Sequence, residues 1–296
     1  MLHAFGQLPA VTDTIAQASE ILKQDIGKLI AEGPVEELNR TVNTQPVMLA
    51  ASIAIYRAWL DAGGAAPSIV AGHSLGEYSA LVAAGALSFP DAVELVRYRA
   101  QAMQEAVPFG VGGMAAILGL DDEAVRAACQ EAVAGREDEI VEAVNYNAPA
   151  QVVIAGHKAA VERACEAAKA RGAKRALPLP VSAPFHSSLM KPAADRLAER
   201  LIDIEFSAPQ AAVINNVDVA VENDPAAIRN ALVRQAHNPV RWVETVRKMS
   251  ADGVTHVIEC GPGKVLAGLT KRIDPSLAGA AIVDPASLDQ VLELLK

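Results

Sequence analysis

A short motif in the first third of the chain, Gly72-His73-Ser74-Leu75-Gly76, has the residue types and spacing of a nucleophile turn. The apolar residues 68–71 before it predict a buried strand, and residues 77–87 after it predict a helix. A serine on such a turn has its hydroxyl exposed at the end of the sheet, and glycines beside it permit the close backbone approach. We therefore predict that Ser74 is an acyl nucleophile. The Leu75 N–H should face the developing oxyanion, since a helix N-terminus favours negative charge.

A nucleophilic serine needs a base, usually a histidine that takes its proton. His186 lies in the loop 183–188, where the chain is expected to re-enter the larger domain beside a cleft, and we predict that it is this base. His73 immediately precedes the serine, so its side chain should point away from that of Ser74. His256 lies within an apolar run that is typical of a core strand, which favours a structural role.

Arg99 is the third residue with a chemical signal. Apolar residues recur at helical spacing over residues 89–107, and Arg99 falls on this apolar stripe whereas Arg97 does not. A buried guanidinium is costly unless it meets an anion. Two interpretations stay open on this pattern. Arg99 either forms a structural ion pair with an acidic residue of the chain or binds a substrate carboxylate through two parallel hydrogen bonds.

The elements around these residues predict an α/β protein. Residues 113–183 show strands and helices in the order βαββαβ, which is typical of a ferredoxin-like unit. On both sides of this unit, helices alternate with short apolar strands, as expected for a parallel sheet. We therefore expect a large parallel-sheet domain of residues 1–112 and 184–296, with a ferredoxin-like subdomain of residues 113–183 inserted into it.

Helix starts are predicted from capping residues. The first helix is expected over residues 11–24, and Thr44 is expected to cap a second helix that runs past Trp59. Ser88 is expected to cap a helix over residues 89–107, with Asp91 three residues further on as in a capping box.

Composition excludes several classes of protein. A formal charge of −9 argues against nucleic-acid binding, which needs clustered Lys and Arg. Cys129, Cys165 and Cys260 are too far apart for a Cys-x-x-Cys metal site, and no His/Cys cluster has metal-ligand spacing, so we expect neither a metal nor a disulfide framework. No apolar run reaches membrane-spanning length, and the N-terminus lacks a signal pattern. We expect a cytoplasmic protein without membrane or nucleic-acid partners.

Together these motifs resemble the malonyl-CoA:acyl carrier protein transacylases, the acyltransferases that load malonyl groups for bacterial fatty acid synthesis. The likeness covers nearly the whole chain. In chain order it comprises Gln45-Pro46, residues 71–78, the Arg99 helix, and residues 103–108, 147–149, 151–156, 185–187, 233–235, 238–240 and 261–264. The family fold is an α/β-hydrolase-like domain with a ferredoxin-like insert, which agrees with the pattern of elements.

The resemblance also implies residue roles. Ser74 would be the nucleophile, His186 its base, and Arg99 the group that holds the malonyl carboxylate. The backbone carbonyl of Gln235 would orient the histidine in place of an acid. Phe185, before the histidine, is typical of a malonyl-type pocket.

Further expectations follow for the surroundings of the site. His73 and Asn147, with Phe185, are candidate cleft-lining residues. The implied substrates are malonyl-CoA and phosphopantetheinylated acyl carrier protein, a transient partner, with no cofactor. We expect a monomer.

The sequence departs from the family at its start. Family members open with a strand and a Gly-Gln-Gly-Ser-Gln loop whose glutamine supplies a second oxyanion N–H, and Met1-Leu2 aligns just after that loop. Gly6-Gln7 does not replace the loop, because its register falls in the first helix. Losing an oxyanion donor typically costs ~10²–10³ in rate, and losing an interior strand leaves an unpaired sheet edge. We expect either a misassigned start site, which we favour, or an impaired product.

Two other functions stay open. A serine esterase or thioesterase of α/β-hydrolase type would use an acid–histidine pair late in the chain, so His256 rather than His186 would be essential. An inactive, N-terminally truncated remnant with a binding role would fail to acylate at Ser74.

Overall fold

The computed structural model describes residues 2–6, 8–181 and 183–295. Single 3₁₀ turns lie at His3–Phe5 and Ser188–Met190. The helices and strands are, in chain order, α1 (Pro9–Leu22), α2 (Ile26–Glu32), α3 (Val35–Asn39), α4 (Thr41–Asp61), β1 (Ile69–Val70), α5 (Gly76–Ala83), α6 (Phe89–Glu105), β2 (Gly112–Leu118), α7 (Asp122–Ala132), β3 (Val141–Ala148), β4 (Gln151–His157), α8 (Lys158–Ala170), β5 (Arg175–Pro178), α9 (Lys191–Ile202), β6 (Ala212–Val213), α10 (Pro225–Gln235), α11 (Trp242–Ala251), β7 (His256–Cys260), α12 (Val265–Ile273), β8 (Ala278–Ile282) and α13 (Pro285–Leu294).

Parallel strand pairs confirm the predicted α/β class. β1 pairs with β6, with Ile69 opposite Ala212, and β7 pairs with β8, with His256 opposite Ala278. Within the described part of the chain the two pairs do not join into one sheet. A cavity of about 830 Å³ lies between them and is lined by residues of both β1 and β7.

A second sheet is antiparallel and contains four strands in the order β3-β4-β2-β5. Helices α7 and α8 pack on it and bury a separate apolar cluster that includes Val125, Val161 and Ile154. This strand order is what a βαββαβ unit produces when its two helices cover one face, so the ferredoxin-like element of the predicted fold is confirmed. The exact bounds 113 and 183 stay a prediction.

The helix that carries Arg99 begins and packs as its sequence predicts. Ser88 caps α6 and accepts a hydrogen bond from the Asp91 N–H. The apolar stripe of this helix, including Leu95 and Val96, is fully buried against α4, α5 and α9. Because Arg99 lies on that stripe, its guanidinium is carried into the interior, where it is 2% exposed.

The first helices differ from the prediction. Thr44 does not cap α4: the helix begins at Thr41, and the Thr44 hydroxyl donates to the carbonyls of Leu38 and Arg40 at 2.6 and 3.1 Å. The sequence pattern also missed α2 and α3, which fill the segment before α4. Helix α1 begins at Pro9, so Gly6 precedes it instead of lying within it, and Gln7 falls outside the described residues.

Candidate active site

The turn between β1 and α5 places Ser74 as the motif predicts. Ser74 has a φ of +51°, in the left-handed region that non-glycine residues rarely adopt. A Cβ added to Gly72 would lie 2.0 Å from the carbonyl carbon of Gly76, so only glycine fits at this crossing of the chain. Leu75 immediately precedes the first residue of α5, which puts its N–H at the positive end of the helix.

Ser74 and His186 lie together although 112 residues separate them in the chain. The Ser74 Oγ is 2.7 Å from His186 Nε2, and His186 Nδ1 is 2.8 Å from the backbone carbonyl oxygen of Gln235. A carbonyl can only accept, so Nδ1 carries the hydrogen and Nε2 accepts from the serine hydroxyl. The imidazole is thus held in the tautomer that a general base requires.

The surroundings of His186 keep its ring neutral. Its side chain is buried, and this burial, together with the nearby charge of Arg99, lowers the pKa of His186 to about 3. Burial also lowers the pKa of His73. An unprotonated Nε2 is therefore available at neutral pH.

Arg99 reaches the same hydroxyl from α6. Its Nη2 donates to Ser74 Oγ at 3.1 Å and to Gln235 Oε1 at 3.0 Å, and its Nη1 donates to Gln45 Oε1 at 2.7 Å. All three of these partners are uncharged, so the hydrogen bonds do not have the form of the structural ion pair considered above. Burial lowers the pKa of Arg99, while the neighbouring side chains of Tyr78 and Glu77 oppose this shift. The site thus contains a buried cation whose hydrogen-bonded partners do not neutralise it.

Two of the three predicted cleft-lining residues, His73 and Asn147, contact each other. His73 Nε2 is 2.8 Å from Asn147 Oδ1, and the His73 ring centroid is 5.7 Å from that of Trp242. His73 also lines the cavity between β1 and β7. Phe185 adjoins His186 and packs against the apolar cluster that contains Met103. Gln235, expected to act through its backbone alone, also contributes its side chain.

Three polar residues around Arg99 and the turn of residues 72–76, called the elbow below, were not among the candidate site residues: Glu77, Asn216 and Gln45. Glu77 belongs to the motif that carries the resemblance, and its burial beside Gln235 and Asn216 is visible only in the fold. Gln45-Pro46 is a further family motif. Asn215-Asn216 lies at the end of the strand expected over residues 212–215, where amides commonly satisfy loop backbone and where the sequence leaves a cleft-lining role open. The polar residue types at these positions were the sequence signal that could have indicated a role in the site.

His256 is not the core histidine that its apolar neighbours indicate. It is the first residue of β7 and half-buried, lines the cavity, and its Nδ1 is 2.9 Å from Thr255 Oγ1. The strand lies beside a cavity instead of a packed neighbour, so the apolar pattern did not translate into full burial.

Among residues 2–6, 8–181 and 183–295, no group of three or more His, Cys, Asp or Glu side chains is arranged to hold a metal ion. The helices described within these ranges include none that is long and apolar enough to cross a membrane.

The arrangement has the parts of an acyl-transfer site. A hydroxyl hydrogen-bonded to a neutral imidazole can attack a carbonyl carbon, and a helix N-terminus beside it can stabilise the oxyanion. A buried guanidinium at the same oxygen suits a substrate that carries a carboxylate close to its acyl carbon.

Comparison with known proteins likewise indicates an acyl transferase. The acyl transferase domain family matches residues 5–280. The malonyl CoA-acyl carrier protein transacylase of Escherichia coli K12 is 57% identical over 286 residues, which are 97% of this chain and 92% of that protein. The Bacillus subtilis protein of the same name is 47% identical over 99% of this chain and 91% of its own length.

Solved structures agree with the sequence relatives. An acyl-carrier-protein S-malonyltransferase from Burkholderia pseudomallei superposes with a TM-score of 0.96 at 68% identity, covering 99% of this chain and 94% of that one. A malonyl-transacylase in complex with a type II PKS acyl-carrier protein superposes with a TM-score of 0.97 at 56% identity, with the same coverage of each chain. This chain therefore belongs to the acyl transferase family and groups with its malonyl CoA-acyl carrier protein transacylases.

Proposed function

We propose that the chain transfers the malonyl group of malonyl-CoA to the phosphopantetheine thiol of acyl carrier protein through a malonyl ester on Ser74. The observation that carries this proposal is that one hydroxyl, Ser74 Oγ, lies within hydrogen-bond distance of both His186 Nε2 and Arg99 Nη2. The printed names of the relatives, and the complex of one of them with an acyl-carrier protein, support the choice of donor and acceptor.

In the first half-reaction His186 Nε2 takes the Ser74 proton while the serine oxygen attacks the thioester carbonyl carbon. The carbon–sulfur bond then breaks, and the CoA sulfur leaves with the proton from His186. In the second half-reaction His186 takes the proton of the phosphopantetheine thiol, whose sulfur attacks the ester carbon. The Ser74 oxygen leaves and recovers its proton, so the base is regenerated in each step.

Arg99 supplies the selectivity in this proposal. Its Nη2 is 3.1 Å from Ser74 Oγ, so a carboxylate that it binds must lie only a few bonds from the carbon under attack. A malonyl group meets this condition, because a single methylene separates its carboxylate from the thioester carbonyl. The guanidinium fork can hold both carboxylate oxygens.

Both half-reactions exchange one nucleophile for another at an acyl carbon, so the proposed chemistry needs no cofactor. We keep the expectations of a cytoplasmic monomer with a transient protein partner. The esterase alternative has less support, because it assigns the base to His256, whereas the imidazole hydrogen-bonded to Ser74 belongs to His186.

Variants of the two histidines test this proposal. We expect His186→Ala to slow both acylation by malonyl-CoA and transfer to acyl carrier protein by orders of magnitude, because one base serves both steps. We expect His256→Ala to retain both rates. Normal transfer by the His186 variant, or loss of transfer in the His256 variant alone, would show that His186 is not the base and would favour the esterase.

A further inference from the structure

Glu77 is a buried acid that the proposed mechanism does not use. It is the second residue of α5, is 2% exposed, and its Oε2 accepts hydrogen bonds from the Asn216 N–H at 2.9 Å and from Gln235 Nε2 at 3.0 Å. A buried carboxylate is expensive unless its oxygens are hydrogen-bonded, and these two donors come from two separate parts of the chain.

Asn216 links Glu77 to the turn that carries the serine. Its Oδ1 accepts from the Ser74 N–H at 2.6 Å, and its Nδ2 donates to the Gly72 carbonyl at 2.8 Å. Both sides of the elbow are thus tied to one amide. Because the backbone N–H of that residue donates to Glu77, the carboxylate restrains Asn216, and Asn216 restrains the left-handed backbone of Ser74.

Gln235 links Glu77 to the base and to the cation. Its Nε2 donates to Glu77 Oε2 and, at 2.8 Å, to the Ser74 carbonyl, while its Oε1 accepts from Arg99. Its backbone carbonyl accepts from His186 Nδ1. The amide therefore has two acceptors at its nitrogen end and a donor at its oxygen end, and the Glu77 carboxylate is the charged one of the two acceptors.

We propose that Glu77 is a positioning residue whose ionised carboxylate fixes Asn216 and Gln235, and through them the Ser74 backbone and the orientation of His186. Both donors bind Glu77 Oε2, so protonation of the carboxyl group removes the negative charge that strengthens these two hydrogen bonds. The restraint that the elbow and the base share is then weakened.

Burial and the groups around Glu77 together place the pKa of its carboxyl group near neutrality. Those that act on it or respond to its charge are Arg99 from α6, Asp218 from the loop after β6, Arg234 from α10 and Tyr78 from its own helix. Burial raises the pKa of Glu77 to about 7, against the hydrogen bonds from Gln235 and Asn216 and the charge of Arg99, which lower it. His186, with a pKa of about 3, does not titrate in the same range.

The test is the pH dependence of Ser74 modification in the wild type and in Glu77→Gln, Glu77→Asp and the surface control Glu94→Gln. The probes are malonyl-CoA, acetyl-CoA and a fluorophosphonate, which reports serine reactivity without acyl transfer. For all three probes we expect the wild-type rate to fall below about pH 7. At alkaline pH, Glu77→Gln should be modified about 10- to 100-fold more slowly than the wild type. Its rate should not fall further below about pH 7, so the acid limb of the pH profile should be absent. Glu77→Asp should recover part of the rate and the limb, and Glu94→Gln should match the wild type.

Several results would overturn the inference. An acid limb that persists unchanged in Glu77→Gln would assign it to another group, and an effect confined to malonyl-CoA would make Glu77 only a counter-charge of Arg99. If Glu77→Gln does not fold, infrared difference titration of the wild type replaces it: a buried carboxylic acid must appear with the midpoint of the activity loss, and a different midpoint contradicts the inference. The inference uses the proposed function only as a readout, because the fluorophosphonate still reports the limb if malonyl-CoA fails to label Ser74.

Discussion

Arg99 Nη2 donates to Ser74 Oγ over 3.1 Å, so the hydroxyl hydrogen-bonded to His186 also accepts a hydrogen bond from a buried cation. The cation favours negative charge on that oxygen. It also lowers the pKa of His186, although burial is the larger cause. The nucleophile, the base and the carboxylate-binding group are thus electrostatically coupled. A substitution at any one of them should change the electrostatic environment of the other two.

Selectivity for a carboxylated acyl group should depend on Arg99. We expect Arg99→Ala to lose malonyl transfer and to gain relative activity toward acetyl-CoA, because acetyl makes no ionic contact and no longer faces an unpaired buried cation. Charge-assisted hydrogen bonds contribute roughly 1.5–3 kcal/mol each, so the ratio of the two rates should change by at least about tenfold.

The control for this measurement is Arg97→Ala on the same helix. Arg97 Nη2 donates to Gln24 Oε1 instead of to the site, so its removal should leave the malonyl-to-acetyl ratio unchanged. If the malonyl-to-acetyl ratio is unchanged in Arg99→Ala, or if both activities are lost together with a lower melting temperature, Arg99 has a structural role and does not bind the carboxylate.

The elbow should tolerate a methyl group at one glycine and not at the other. In Gly72→Ala the new Cβ meets the Gly76 backbone at 2.0 Å, whereas a Cβ at Gly76 has nothing within 4 Å. We expect Gly72→Ala to lose Ser74 labelling and stability, and Gly76→Ala to fold and to be labelled. Circular dichroism melts and fluorophosphonate labelling measure both, and equal behaviour of the pair would show that the turn is not sterically limited.

The local parts of this site could be predicted from sequence. A strand, a turn with two glycines and a helix lie within about twenty residues, so their pattern suffices to place Ser74 at the elbow. The cap at Ser88 and the burial of Arg99 follow from helical periodicity in the same way. At Thr44 the local rule failed, because α4 begins three residues earlier and the Thr44 hydroxyl donates to the carbonyls of Leu38 and Arg40, which precede the helix.

The long-range parts could not be predicted. Glu77 meets Asn216 across 139 residues and Gln235 across 158, and no local pattern fixes such pairings. At His256 a local pattern gave a wrong prediction of burial. Its apolar neighbours indicate a core strand, yet the cavity beside β7 leaves it half-buried.

Acid should weaken the fold through His186. Its pKa is about 3 in the folded chain and 6.5 in the unfolded one, so the unfolded state binds more protons below pH 6.5 and stability falls as the pH is lowered. Between about pH 7.5 and about pH 5 the wild type should lose about 2 kcal/mol more unfolding free energy than His186→Gln, from 1.36 kcal/mol per pH unit. Urea unfolding at both pH values measures this difference, and parallel losses in the two proteins would refute a neutral buried His186.

Docking of an acidic carrier protein should use a local basic patch, because the net charge of the chain is −9. Lys174-Arg175 and Lys271-Arg272 are exposed pairs at the start of β5 and the end of α12. We predict that reversing the charges of one pair weakens transfer to acyl carrier protein and leaves transfer to free pantetheine unchanged. Equal effects on both acceptors, or none, would remove that pair from the docking face.

In the proposed reaction Ser74 carries the acyl group between donor and acceptor. Intact-protein mass after brief exposure to malonyl-CoA tests it most directly, with Ser74→Ala, which removes only the attacking oxygen, as the matched control. We expect one malonyl adduct on the wild-type chain, its loss when phosphopantetheinylated acyl carrier protein is added, and no adduct on the variant. A folded wild-type chain that acquires no malonyl group, or a variant that acquires it at an unchanged rate, would rule out Ser74 as the carrier of the malonyl group.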